Sequence, residues 1–192
     1  MFRKNQSRPL TAGERKLAEA VFGKALDYDR VRIIKGRIGG PLHVDNSART
    51  FGSKIYMHNL YQEDFSKASL PMQGLFIHEM THVWQFQNRV LSLSLKDVWN
   101  MVSHRKDAYE YTLDKNKDLK DYGVEQQASI VQEYFLMGKT GTSAYHRRCQ
   151  NQCNDNEKRD LFQTVLRKFL DNPAYLAPRR RADAGKKPGK PL

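Results

Sequence analysis

Apolar side chains recur at helical spacing in several stretches of this chain, and the residues flanking them carry start and stop signals. Thr11-Ala-Gly-Glu14 has the form of a capping box ahead of Leu17, Ala20 and Val21, and Gly23 closes the segment, which predicts a first helix over 12–22. A long apolar run begins at Pro71, a favourable first helical residue, and ends by Asn88. Ser94-Leu-Lys-Asp97 opens another helix, with Leu95, Val98, Trp99 and Val102 on one face. Val124, Ala128, Val131 and Phe135 predict a helix over 124–137 closed by Gly138. Asn154-Asp-Asn-Glu157 caps a last helix, whose Leu161, Phe162, Val165, Leu166, Phe169 and Leu170 face the core as far as Asn172-Pro173. Between Tyr28 and Met57 the pattern changes to short runs at 31–34, 42–44 and 54–57, separated by Gly36, Gly39, Gly40, Pro41 and Gly52. These predict a small antiparallel sheet. Residues 108–122 are polar and irregular and read as a loop near the site; no internal repeat is present.

Composition places this pattern in a globular protein. At 192 residues with 39% hydrophobic content, the chain can bury a real core. It contains no stretch of about 18 apolar residues, and its first nine residues lack the apolar segment of a secretory signal. A cytoplasmic location in the producing cell is expected, with any export by a route that reads no such signal. The net charge of +12 suggests nucleic acid until it is located. Residues 1–9 carry +3 and residues 179–192 carry +5, which leaves +4 for the body. The expected organisation is therefore a flexible 1–8, a domain over 9–177 and a disordered basic tail over 178–192, with nucleic acid not favoured as a partner.

The chemistry concentrates in His78-Glu-Met-Thr-His82. On a helix, positions i and i+4 share a face, so both imidazoles can reach one tetrahedral Zn2+, with Glu79 beside them as a general base. Glu79 is the only side chain between Ala68 and Asn88 that is formally charged at neutral pH, in a chain where 28% of residues are charged. An isolated charge in so apolar a helix is costly unless it is paired or beside a metal. These features predict a mainly helical, zincin-like α+β domain whose active-site helix carries the motif.

Two histidines leave zinc short of a protein ligand. The extension with a glycine and a third histidine is excluded, because Gln85 and Asn88 occupy those positions. Downstream carboxylates remain: Asp107, Glu110, Glu125 and Glu133, with His104 as an outsider. Glu125 opens the helix over 124–137 next to its apolar stripe and is preferred, with Glu110 the runner-up. Tyr109, Tyr111 and His104 are candidates for donating a hydrogen bond to an oxyanion. His146, Cys149 and Cys153 form H-x-x-C-x-x-x-C, but three ligands without an evident fourth make a poor structural zinc site.

Four segments also carry a resemblance: Pro9-Leu-Thr-Ala-Gly-Glu-Arg-Lys-Leu-Ala-Glu-Ala-Val-Phe-Gly23, Leu26-Asp-Tyr-Asp-Arg-Val-Arg-Ile33, His78-Glu-Met-Thr-His-Val-Trp-Gln85 and Glu125-Gln-Gln-Ala128. In order and spacing they resemble the Vgr-related metallopeptidases, and they are similar to the metallopeptidase domain at the C-terminus of some type VI secretion VgrG spike proteins. The resemblance covers most of 9–137 and none of 139–192. It implies zinc ligands His78, His82 and Glu125, Glu79 as catalytic base, and a peptide or protein substrate. It also implies delivery by a type VI secretion spike as an antibacterial toxin, with a cognate immunity protein. Thermolysin-like enzymes place an Asp one turn after the ligand Glu, where this chain has Ser129, so the partner that orients a zinc-bound imidazole must come from elsewhere. Two other functions compete: a DNA-associated zinc protease using the basic tails, and a non-catalytic docking module whose zinc is structural.

Overall fold

The computed structural model describes residues 6–37, 47–90 and 108–178. The run expected as a strand at 42–44, the helix expected from Ser94, the candidates His104 and Asp107, and residues 179–192 of the basic tail lie outside the described residues.

Four helices and a four-stranded sheet make up the described architecture. Helix α1 (Ala12–Phe22) begins at the expected capping box, in which Thr11 Oγ1 accepts from Glu14 N and the Glu14 carboxylate accepts from Thr11 N. Helix α2 (Leu70–Gln87) has Pro71 in its first turn and is apolar almost all round, and its residues from Phe76 to Gln85 are all buried. Helix α3 (Val124–Thr140) runs past Gly138, where an end was expected. The residue that adopts the left-handed conformation is Gly141 (φ 75°), whose N–H bonds back to Met137 O. Helix α4 (Asp155–Asp171) is capped by Asn154 and Glu157 as anticipated.

The strands are β1 (Gln6–Arg8), β2 (Arg32–Lys35), β3 (Arg49–Phe51) and β4 (Lys54–Tyr56), in the order β1-β2-β4-β3. The sheet is mixed, whereas an antiparallel one was expected. β1 pairs antiparallel with β2, and β3 with β4, but β2 and β4 run parallel. The reason is topological: the chain leaves β2, enters the β3–β4 hairpin on the far side and inserts β4 next to β2, which points both strands the same way. Gly52 (φ 62°) supplies the left-handed residue of that hairpin turn.

Residues 6–8, expected to be flexible, form β1. Arg8 is responsible. Its guanidinium makes two 2.8 Å bonds to the fully buried Glu14 and further bonds to Tyr61 Oη and Gln62 O. Glu14 also accepts from Phe65 N at 2.9 Å, so one carboxylate ties β1, α1 and the turn at 65–67 together.

Helices α2 and α3 form the largest helix pair and carry the candidate site between them. They approach closely at Gly74, where a Cβ would sit 2.9 Å from Leu136 Cδ1. α4 closes the core from the other side through Phe169, which packs edge-on against both Trp84 and Phe22. Edge strand β3 lies against α2, and this contact brings the sheet to the site. Residues 108–122 are less loop-like than their polarity suggested, since Tyr111, Leu113, Leu119 and Tyr122 are buried and residues 119–121 form a short 3₁₀ turn.

Candidate metal centre

His78 and His82 lie one turn apart on α2, and Glu125 in the first turn of α3 faces both. Glu125 Oε2 is 3.2 Å from His78 Nε2 and 3.3 Å from His82 Nε2. Ligand atoms of the three residues lie within 4.8 Å of one another, with both histidine side chains buried and that of Glu125 nearly so. Among the described residues this is the one group of histidine, cysteine and acidic side chains able to hold a metal ion. Glu110, the runner-up, is exposed and is not part of the group; its backbone carbonyl accepts from Gln126 Nε2.

Each imidazole is oriented from behind. His82 Nδ1 is 2.8 Å from Gln85 Oε1, and Gln85 Nε2 donates to Val124 O and Gln127 Oε1. His78 Nδ1 is 3.0 Å from Gln132 Oε1. An amide oxygen accepts, so a ring that donates from Nδ1 has Nε2 left to ligate a cation; without a cation the Glu125 carboxylate can only accept from Nε2. Sequence reasoning weighs Gln85 only as the residue at the glycine position of the excluded extension, and it does not find Gln132. Their signal was present in one respect: Gln85 and Gln132 are polar residues on the faces that α2 and α3 bury against each other.

The electrostatics of the metal-free group follow from this crowding. Burial opposes protonation of both rings; it prevails at His78, whose pKa is lowered. At His82 burial is outweighed only by the sum of the charge and hydrogen bond of Glu125, the charge of Glu79 and the hydrogen bond to Gln85, which raise the pKa to about 9. Burial alone would raise the Glu125 carboxyl, but the two imidazoles hold it well below the usual carboxylate range.

Glu79 is buried beside the group, and Thr50 of β3 donates to its Oε2 at 2.7 Å. Tyr109 stacks against His78 with ring centroids 6.2 Å apart, and burial raises its phenol pKa, so its hydroxyl stays protonated at neutral pH. Tyr111 does not join the site. Its buried hydroxyl donates to Glu133 Oε2 at 2.7 Å, which commits both this candidate oxyanion donor and the candidate ligand Glu133 to each other. Ser129, which replaces the Asp of thermolysin-like enzymes, turns its hydroxyl back to Glu125 O and accepts from Arg148. His146, Cys149 and Cys153 form no metal group: His146 Nε2 meets Glu133 O, and both cysteines are free thiols.

No family model matches the sequence. Over 133 residues, 67% of this chain, it is 40% identical to the type VI secretion system spike protein VgrG2b of Pseudomonas aeruginosa. The chain spans 13% of the length of that spike protein. The solved effector domain of P. aeruginosa VgrG2b aligns with a TM-score of 0.61 and 34% identity, over 74% of this chain and 84% of that one. The chain belongs to the VgrG2b effector-domain family. This agrees with the relationship to VgrG spike proteins that the four sequence segments suggested. Arg148 lies beyond those segments, yet it reaches the site of this VgrG2b-like domain. Among the described residues, no helix is long and apolar enough to cross a membrane.

Proposed function

We propose that this chain is a zinc-dependent peptidase that acts as an effector of a type VI secretion system. The observation that carries the reading is the convergence of His78 Nε2, His82 Nε2 and Glu125 Oε2 beside the buried Glu79. Two imidazoles and one carboxylate suit zinc in an open catalytic site, and the amide partners on both Nδ1 atoms prepare Nε2 as the ligand atom. Zinc bound there would supply a Lewis acid for a peptide carbonyl and for a water molecule.

The remaining chemistry belongs to the chain. Glu79 takes the proton that the attacking water loses and returns it to the leaving amine. The Thr50 hydroxyl occupies Oε2 and leaves Oε1 as the basic atom. Tyr109, held along the His78 ring, donates its phenolic hydrogen to the oxyanion that develops on the substrate. Tyr111 has no part in this mechanism. The relationship to a secretion spike supports delivery by such an assembly to a competing bacterium, with a cognate immunity protein in the producer.

Glu79→Gln tests the reading. The amide is nearly isosteric but cannot accept the proton, so the variant should retain one zinc per chain and its fold while losing peptide cleavage and toxicity in a sensitive bacterium. Undiminished toxicity in a folded, zinc-loaded Glu79→Gln protein would refute the peptidase mechanism.

A further inference from the structure

Arg148 contributes no atom to the metal group, yet its guanidinium is built into the wall behind it. Nη1 donates to Ser129 Oγ at 2.9 Å and lies 3.5 Å from both Gln132 Oε1 and His78 Nδ1. The guanidinium carbon sits 4.6 Å from the centre of the Tyr109 ring, whose other neighbour is His78. The backbone that carries Arg148 is fixed in turn by Glu133. That carboxylate accepts from Arg147 N and Arg148 N at 3.0 Å each and from Tyr111 Oη, and His146 Nε2 meets the Glu133 carbonyl. Tyr111 N donates to Arg148 O and Gln150 N to Tyr111 O, a short parallel bridge between Tyr111 and Cys149 that also holds the Arg148 carbonyl.

A glutamine amide can present oxygen or nitrogen with little change of shape, and the imidazole facing it must adopt the complementary tautomer. At Gln85 the choice is made by two acceptors, Val124 O and Gln127 Oε1, which draw Nε2 and leave Oε1 for His82. At Gln132 the neighbour is a guanidinium, which offers donors only. A reversed Gln132 would set its NH₂ against Arg148 Nη1. At 3.5 Å that contact is an electrostatic bias and not a well-formed hydrogen bond; Nη1 is as far from His78 Nδ1, and an amide oxygen facing both nitrogens lets each of them donate to it. We propose that Arg148 is a positioning residue that holds Gln132 with its oxygen toward His78, so that Nδ1 carries the hydrogen and Nε2 is kept as the metal-binding atom. This rests on the reading of His78, His82 and Glu125 as a metal site.

The test uses the full chain, stripped of metal and titrated with zinc against a chromogenic chelator. Long-range ¹H–¹⁵N spectra of the histidine side chains report the His78 tautomer in a metal-free Glu125→Ala background, where no carboxylate draws the hydrogen to Nε2. R148M should weaken zinc affinity roughly 10-fold, the lower end for partners that orient a ligand, and His78 should populate both tautomers. R148K, which retains a donor-only group, should remain near wild type, and R148Q, which can present either face, should behave as R148M. If R148M does not fold, the contrast between R148K and R148Q decides the matter. Because Arg148 acts through Gln132, the double variant R148M/Q132L should bind zinc no more weakly than Q132L alone. Affinity within twofold of wild type in folded R148M or R148Q with His78 unchanged would overturn the proposal, as would losses that multiply in the double variant. A wild-type chain that binds no zinc would instead refute the metal reading itself.

Discussion

Replacing Thr50 by Val isolates the sheet's contribution to the chemistry. Thr50 is 4% exposed and its hydroxyl has one hydrogen, with the Glu79 carboxylate at 2.7 Å and the Glu79 carbonyl at 3.3 Å. The shorter contact takes it. Valine keeps the shape and the preference for a strand, so β3 and its packing on α2 should persist. A hydrogen bond to a charged group contributes about 1.5–3 kcal/mol. If that energy keeps Glu79 aimed in the transition state, its loss lowers kcat by roughly 10- to 100-fold at about 1.4 kcal/mol per decade. The Thr50 hydroxyl bonds to Glu79 and not to His78, His82 or Glu125, so zinc per chain should stay at the wild-type value. Steady-state cleavage of a peptide substrate, with metal content measured on the same samples, makes the comparison, and Thr50→Ser, which keeps the donor, should recover most of kcat. A kcat within twofold of wild type in Thr50→Val would refute the role assigned to this hydroxyl, and loss of zinc would place Thr50 in the metal group.

Tyr109→Phe retains the ring along His78 and should lower kcat roughly 100-fold with zinc content unchanged; full activity would remove Tyr109 from the mechanism. Glu14→Gln breaks a buried ion pair and should lower the unfolding free energy by about 3 kcal/mol in urea titration, whereas a change below about 1 kcal/mol would mean that Arg8 adds little to the fold. Tyr175→Phe removes a 2.6 Å bond to Asp118 and should cost about 1 kcal/mol at pH 7. Burial would raise the Asp118 pKa, but Tyr175, the Lys120 N–H and Lys168 together hold it below its ordinary value of 3.8. A depressed carboxyl stabilises the fold above the unfolded-state value and loses that contribution as pH falls through the folded-state value, so wild-type stability should decline below about pH 4. The decline should be shallower in Tyr175→Phe, and identical acid profiles would exclude Asp118 as a source.

Much of this architecture is legible in the sequence wherever a local rule decides it. The capping boxes at Thr11 and Asn154 place α1 and α4, and the apolar run after Pro71 places α2. The turn spacing of His78 and His82, with Glu125 opening a second helix, anticipates the residues that the fold brings together. What was not legible is set by partners far along the chain. β1 and β3 are three residues each, too short for alternation to register, and they exist because Arg8 meets Glu14 and because the β3–β4 hairpin docks on α2. The parallel pairing of β2 with β4 depends on the path between them, which no local pattern records. Tyr109 and Tyr111 look alike in sequence, but one faces His78 and the other Glu133, and no local pattern decides which tyrosine takes which partner. Arg148 lies in a polar stretch without periodicity, where nothing distinguishes an arginine in solvent from one packed behind a histidine.

The reach of the Arg148 contact also bears on when this site can come into being. His78 and Glu125 are 47 positions apart, and His78 and Arg148 are 70 apart. Chain-closure entropy rises only slowly with such distances, but contacts of this range form late, after the helices that carry them have docked. A chain emerging from the ribosome holds all the donor atoms once residue 125 has been added, yet the wall behind His78 is still missing. If the group binds zinc as proposed, full affinity is therefore expected only as the segment carrying Arg148 folds back onto α3. In a time-resolved refolding experiment, zinc uptake would trail the appearance of helix and would mark the completed chain.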